Sequence, residues 1–152
     1  MKLKLFTIIL LAFILFSAVS ANEYNFTIPD NYTIHEASEN YTLLKSDRYH
    51  SISISLVDVD KDVLKSLLVN SMYDFIYVDN YTKGDWNIEE NWYNQEYQRG
   101  ILYFCDNGED LIVIDYKGPL DVDLEDSPVG VILDSLVWFF KIRILILFFN
   151  NL

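Results

Sequence analysis

Cysteine and histidine are scarce in this chain, and their scarcity narrows the chemistry open to it. The 152 residues include one cysteine and two histidines. A lone cysteine excludes an intramolecular disulfide. Cys105 lies in an apolar run without a cation to lower the pKa of its thiol, so we predict a buried packing role. His35 and His50 lack metal-ligand spacing and the partners of a catalytic triad, so we expect neither a zinc site nor histidine-based catalysis.

Positive charge is also scarce. The chain carries 11 Lys and Arg against 23 Asp and Glu, a net charge of −12, and all 23 acids follow residue 22. Such a chain repels the phosphates of nucleic acids and of anionic lipids, so nucleic acid is not expected as a partner. There is no phosphate-binding loop, and no cofactor is predicted. By itself the acidity indicates only solubility.

The longest apolar runs stand at the two ends of the chain. At the beginning, Lys2 and Lys4 precede the run Leu5 to Phe16, and the small residues Val19-Ser20-Ala21 follow. This order is that of a secretory signal peptide, so we predict cleavage before Asn22 and an extracytoplasmic protein, secreted or held in the cell envelope. An uncleaved anchor helix is the alternative, although the run is short for a membrane span.

At the other end, residues 136–152 form a tail that is apolar from Leu136 to Phe149 apart from Lys141 and Arg143. A span counted back to Val129 would bury these cations and Asp134 in lipid, which is costly. Three interpretations stay open: a buried helix or strand, a segment on the membrane surface, and an imperfect anchor. A tail appended by truncation or frameshift is a fourth. Between the two ends, residues 22–135 are predicted to form a single domain.

The clearest structural signal is the stretch Ile101 to Tyr116, which has two apolar, β-prone runs separated by Asn107-Gly108. Asn-Gly favours a two-residue hairpin turn. With that turn, Asp106 pairs with Glu109, Phe104 with Leu111 and Leu102 with Val113. The opposite face then carries Ile101, Tyr103, Cys105, Ile112 and Ile114. Because both faces are apolar, we expect this hairpin inside a sheet that is covered on both sides.

The remaining pattern predicts an α+β fold, an antiparallel sheet of about six or seven strands with one main helix on one face. The helix, Asp58 to Tyr73, has an apolar stripe of Val63, Leu64, Leu67, Leu68 and Met72. After Pro128 we expect an apolar C-terminal helical segment with Val131, Ile132, Leu136 and Phe139 towards the sheet. The other predicted strands are Asn22 to Pro29, Tyr32 to His35, Tyr41 to Lys45, Tyr49 to Val57 and Phe75 to Asp79. A turn is predicted from Asn80 to Gly84. An exposed strand or strand–turn is predicted within Asp85 to Gln98.

Before the helix, Asp58, Asp60 and Asp62 form an acidic run that could suggest a calcium loop. An EF-hand loop counted from Asp58 needs Gly at its sixth position and Glu at its twelfth, where this chain has Val63 and Val69. Capping of the helix N-terminus by Asp58 or Asp60 explains the run better. No metal site is therefore predicted.

Four N-x-T sequons exceed the one or so expected by chance, and they are candidate N-glycosylation sites in an exported protein. An alternative is that Asn-Tyr-Thr simply marks the passage from a turn to a strand. The candidate asparagines are Asn25, Asn31, Asn40 and Asn80.

The segment Phe26 to Tyr32, FTIPDNY, together with the Asn- and Tyr-rich style and the leader, resembles small exported proteins of unknown function from methanogenic archaea. The resemblance implies an extracytoplasmic location. It implies no activity.

Two classes of function are compatible with these features. The first is a non-enzymatic cell-surface or secreted interaction module for an unknown protein or glycan. Its binding surface could be an aromatic cluster, unless these side chains pack under the sheet edge. A separate possibility, which depends on the tail, is a membrane-anchored envelope protein with a purely structural role. The second is a small hydrolase that uses a carboxylate pair, Glu89 with Glu90 or Asp106 with Asp110. The aromatic candidates are Trp86, Trp92, Tyr93 and Tyr97.

Overall fold

A computed structural model describes residues 26–71 and 73–136, which form an α+β structure with a seven-stranded antiparallel sheet and two helices. The fold class predicted from the sequence is thus confirmed for this part of the chain. The predicted leader, Asn25 and the tail beyond residue 136 lie outside the described residues. The elements are β1 (Thr33–Ser38), β2 (Tyr41–Lys45), β3 (Ser51–Val57), α1 (Lys61–Ser71), β4 (Asp74–Lys83), β5 (Trp86–Asn94), β6 (Gln98–Asp106), β7 (Leu111–Pro119) and α2 (residues 129–136).

The strand order is β1-β2-β3-β7-β6-β5-β4. The first three strands form a meander, α1 then carries the chain to the far edge, and the last four strands return to the middle until β7 pairs with β3. Strands β1 and β4 are therefore the two edges, and the predicted hairpin β6–β7 is interior.

Both faces of that hairpin are buried, as predicted. On one face, Ile101, Tyr103, Cys105, Ile112 and Ile114 join a large core that α2 covers. On the other face a smaller core packs against α1 and is built from Tyr93, Leu102, Phe104 and Leu111, with Leu64 and Leu68 at its margin.

The predicted register of the hairpin is wrong by two residues. Phe104 is opposite Val113 and Asp106 is opposite Leu111, so the connection has four residues, not two. Asn107 holds this wider loop with its own side chain, because its Oδ1 accepts hydrogen bonds from the backbone N–H of Glu109 (2.9 Å) and of Asp110 (2.8 Å). A shift of two residues leaves every side chain on its predicted face, since side chains alternate with period two.

Three other predicted elements need correction. Residues 26–29 are not in a strand; instead, the backbone N–H of Thr27 donates to Ser135 Oγ (2.8 Å) and ties this segment to α2. The predicted turn from Asn80 is the second half of β4, and only Gly84 (φ +61°) and Asp85 form the turn. The segment predicted as an exposed strand is β5, and most of its side chains are buried because it lies between β4 and β6.

In α2 the buried side chains are partly those predicted. Ile132 and Leu136 are buried, but Val131 is exposed, and Val129 and Leu133 fill the remaining core positions. Phe139 lies outside the described residues.

Two glycines test this packing in opposite directions. A Cβ at Gly100 would lie 2.1 Å from the carbonyl oxygen of Tyr116 and 2.7 Å from the hydroxyl of Tyr93, so Gly100→Ala should destabilise the fold by about 3 kcal/mol or more. Gly130, in α2, has open space at that position, so Gly130→Ala should stabilise by about 0.5–1 kcal/mol. Chemical denaturation of the two variants measures both changes. An unchanged free energy of unfolding in Gly100→Ala would contradict the close approach of β6 and β7 at Tyr116.

Candidate functional site

Helix α1 has two different sides, and its predicted single apolar stripe is wrong in part. Leu64 and Leu68 pack towards the sheet. Val63 and Leu67 are 53% and 61% exposed. One helix face holds positions i, i+3, i+4 and i+7, so the side that carries Leu64 and Leu68 also carries Lys61 and Lys65.

Those two lysines face the sheet because a carboxylate lies beneath them. Glu89 of β5 is buried, and Lys65 Nζ donates to its Oε1 while Lys61 Nζ lies 3.5 Å from its Oε2. Burial by itself would raise the pKa of Glu89, but the hydrogen bond and charge of Lys65, with the charge of Lys61, hold that pKa below its ordinary value. The buried carboxylate therefore fixes which side of α1 faces inward.

The outward side of α1 carries Val63 and Leu67, and Val59 lies just before the capping residue Asp60; we define these three residues as the apolar ridge. These residues follow one another at intervals of four, and each is at least 45% exposed. Aliphatic side chains at this spacing form a continuous stripe on a helix surface. The ridge packs against neither of the two cores.

An open cleft of about 260 Å³ lies beside the start of α1, between the β3–α1 connection and the β6–β7 loop. Val59 lines it, so the cleft continues into the ridge. Among the described residues, its lining has one cation, Lys61, which shares the Glu89 carboxylate with Lys65. We call it the acidic cleft for its five carboxylate residues, Asp58, Asp60, Asp106, Glu109 and Asp110.

Asp60 and Asp106 accept hydrogen bonds from backbone N–H groups. Asp60 Oδ1 accepts hydrogen bonds from the backbone N–H groups of Asp62 (2.9 Å) and Val63 (3.1 Å), which confirms that Asp60 caps the helix. Asp106 Oδ1 accepts from Gly108 N (2.7 Å). Among the described residues, no group of three or more His, Cys, Asp or Glu side chains is placed to hold a metal ion.

The predicted aromatic surface is not formed by its four candidates. Trp86 is buried in the larger core and Tyr93 in the smaller one, on opposite faces of the sheet. Trp92 is half-buried against the larger core. Tyr97 alone is well exposed, at 79%, in the β5–β6 loop. Position within an interior strand decides this burial, because β5 is covered on both faces.

The first proposed acid pair is divided between the two faces of the sheet, and the second lies in an open cleft. Glu89 and Glu90 are neighbours in β5 and point to opposite faces: Glu89 pairs with the lysines of α1, while Glu90 accepts a hydrogen bond from Tyr81 (3.4 Å) on the other side. Asp106 and Asp110 flank the β6–β7 loop in the open acidic cleft. These positions give no support to an acid–base mechanism.

Sequence reasoning missed a buried polar cluster centred on Asp115 of β7. Its Oδ1 accepts a hydrogen bond from Tyr93 (2.6 Å), and its Oδ2 accepts from Tyr73 (3.2 Å) and lies 3.0 Å from Lys117 Nζ. The isolated acid in the apolar run LIVIDY was the available signal, since a buried carboxylate requires partners.

Burial and the nearby Asp115 carboxylate raise the pKa of Tyr93 and of Tyr73 far above the ordinary value. Both phenols therefore keep their protons and act as hydrogen-bond donors. The cluster joins the end of α1 to β5 and β7 through hydrogen bonds, so its role is to stabilise the fold.

The cysteine and the two histidines do not form a catalytic arrangement in the described structure. Burial raises the pKa of the Cys105 thiol to about 12, so the thiol is not a nucleophile at neutral pH. His50 Nδ1 lies 2.9 Å from an Asp47 carboxylate oxygen in an exposed turn. His35 is exposed on β1. Of the candidate glycosylation sites, Asn31, Asn40 and Asn80 are exposed.

Comparison of the chain with protein-family models, with curated proteins and with solved structures found no match. Within the described residues, no helix has the length and apolar character needed to cross a membrane.

The Asp115 cluster predicts a loss of stability at alkaline pH. A folded state that raises the pKa of a tyrosine holds its proton more tightly than the unfolded chain does, so the free energy of unfolding should fall above about pH 10. Tyr93→Phe should lower the free energy of unfolding by about 1–3 kcal/mol at neutral pH, because Asp115 loses a hydrogen-bond donor. Above about pH 10, the free energy of unfolding of this variant should fall less steeply with pH than that of the unaltered protein.

Denaturant unfolding at several pH values up to about 11 measures both effects. Tyr49→Phe, at an exposed tyrosine, is the matched control. Parallel pH profiles for the unaltered protein and Tyr93→Phe would contradict the assigned role of Tyr93.

Proposed function

We propose that this protein is an exported, non-enzymatic interaction module that binds a cationic protein partner through the apolar ridge and the acidic cleft. The observation that carries the proposal is the ridge on the outer side of α1. Val63 and Leu67 of that helix are 53% and 61% exposed, while Leu64 and Leu68 pack against the smaller core.

The ridge suits a protein contact. Burial of one Val or Leu side chain contributes about 1.5–3 kcal/mol, so a short aliphatic stripe is enough to anchor a partner. Val63 and Leu67, at i and i+4 of α1, match the spacing at which amphipathic helices and grooves recognise one another, and Val59 extends this surface ahead of the helix. The backbone of α1 is bonded internally, so recognition here depends on side chains.

Charge selects the class of partner. The described residues hold seven Lys and Arg against 22 Asp and Glu, a net charge of −15. Five carboxylate residues and one lysine, Lys61, line the cleft that adjoins the ridge, so its lining is strongly acidic. A basic polypeptide would be attracted to this end of the molecule, whereas a second copy of the chain would be repelled.

Export supports an extracellular or envelope partner, and it rests on the predicted leader of residues 1–21. A membrane-anchored variant of the same module depends on residues 137–152, which lie outside the described residues. The separated positions of Glu89 and Glu90 favour binding over hydrolysis.

Calorimetric titration with a synthetic amphipathic helix of leucine and lysine tests the proposal. Binding should be at least about tenfold stronger than to the matching leucine–glutamate helix, and it should weaken as salt is raised, because salt screens exposed charges. The double variant Val63→Gln/Leu67→Gln should lose about tenfold or more in affinity. Val131→Gln, at an exposed aliphatic residue of α2 that is 44% accessible, is the matched control.

A second pair of variants isolates the contribution of charge. Asp58→Asn/Glu109→Gln removes two carboxylates of the cleft, and Asp121→Asn/Glu125→Gln removes two exposed ones elsewhere. Only the first pair should weaken binding. Equal affinity for the lysine and glutamate peptides, or full binding by the ridge variant, would overturn the proposal.

A further inference from the structure

Within residues 26–71 and 73–136, the sheet ends in two strands, β1 and β4, each of which pairs with a neighbour on one side only. An edge strand presents unpaired backbone N–H and C=O groups, which can pair with the edge of another molecule. Strand β4 is the greater hazard because it has ten residues and exposes Ile76, Tyr77 and Val78. An exported protein at high local concentration needs a device that keeps such an edge unpaired.

The sequons lie at these edges. Asn31 stands two residues before β1, Asn40 is in the turn that joins β1 to β2, and Asn80 is within β4. None of the three asparagines is on the interior strands β2, β3, β7, β6 or β5, although the Asn40 sequon continues into β2 with Tyr41 and Thr42. Each has an exposed side chain. The alternative explanation, a turn-to-strand idiom, fits the first two but not Asn80, which is in the middle of a strand.

The backbone at Asn80 faces the free side of β4. The β4–β5 hairpin has a two-residue turn with Gly84 at φ +61°, and Lys83 is opposite Trp86. In such a hairpin the residues flanking the turn are hydrogen-bonded to each other, so Lys83 and Tyr81 bond towards β5 while Asn80 points outward. In agreement, the backbone N–H of Asn80 donates to its neighbour's side chain, Asp79 Oδ1, at 2.8 Å.

We propose that Asn31, Asn40 and Asn80 carry N-linked glycans that guard the two free edges of the sheet against pairing with a second copy of the chain. In the modification, the amide nitrogen of Asn bonds to C1 of a lipid-phosphate-linked oligosaccharide supplied by the host. The C1–O bond to the phosphate breaks, the phosphate leaves with the electron pair, and the amide nitrogen loses one proton. The product is a neutral, bulky and hydrated group.

At β4 the glycan acts together with Asp79. The Asp79 carboxylate occupies the outward N–H of Asn80, and the glycan fills the space in front of the neighbouring backbone. At β1, which is shorter and interrupted by an irregular register between Ile34 and Glu36, glycans at the two ends suffice.

Expression of the full chain in a cell that N-glycosylates exported proteins tests this inference at β4. Thr82→Ser keeps the Asn80 sequon and Thr82→Ala removes it, while both leave Asn80 and Asp79 in place. Mass spectrometry of the Asn80 peptide should show sugar in the unaltered protein and in Thr82→Ser. Thr82→Ala should self-associate about tenfold more strongly in analytical ultracentrifugation. Asn80→Gln, which retains Thr82, should behave in the same way.

A charge on the edge locates the association. Ile76→Lys, added to Thr82→Ala, should restore the monomer, whereas Leu120→Lys, at an exposed position outside the strands, should not. Absence of sugar on Asn80, or a Thr82→Ala protein as monomeric as Thr82→Ser, would overturn the proposal. Association that Leu120→Lys relieves as well as Ile76→Lys would also overturn it, because the contact would then not be at β4.

Discussion

The burial of β6 and β7 on both faces is the constraint on which the rest of the structure depends. Two neighbouring strands with no polar face cannot end a sheet or lie against water, so each face needs a layer of its own. Helix α2 provides one layer with Val129, Ile132 and Leu133. Helix α1 provides the other, over a smaller core.

The two layers differ because the buried acids of the described residues, Glu89 and Asp115, both lie on the α1 face. Glu89 and Asp115 must be paired when they leave water, and their partners come from α1, from the residue Tyr73 that follows it, and from the neighbouring strands. Lys61 and Lys65 therefore take inward positions that leucine or valine would otherwise fill. The displaced aliphatic residues, Val63 and Leu67, remain in water. The ridge is thus a consequence of how the sheet satisfies its carboxylates.

The sequence predicts which residues share a face, and it does so even where the register is wrong, because an error of two residues keeps the period of a strand. The pairing itself depended on the Asn107 side chain, whose hydrogen bonds to Glu109 and Asp110 widen the loop beyond what Asn-Gly suggests. A helical stripe of leucines and valines could not reveal that lysines would face the sheet, since this depends on Glu89 in a strand that follows later in the chain. The burial of Trp86 and Tyr93 is not predicted for the same reason, because the local pattern does not show that a core forms on each face of β5.

Exposed aliphatic residues occur both on α1 and on β4, yet they carry different risks. On α1 the backbone N–H and C=O groups are bonded within the helix, so Val63 and Leu67 can meet a partner only through side-chain packing, which requires a complementary surface. On β4 the exposed Ile76 and Val78 adjoin unpaired backbone groups, and any other open edge can pair with them whatever its sequence. The exposed face of α1 therefore does not lead to non-selective association, whereas the open edge of β4 does unless it is protected from pairing. The sequon Asn80-Tyr81-Thr82 and the Asp79 carboxylate are both on the strand, where non-selective pairing would begin.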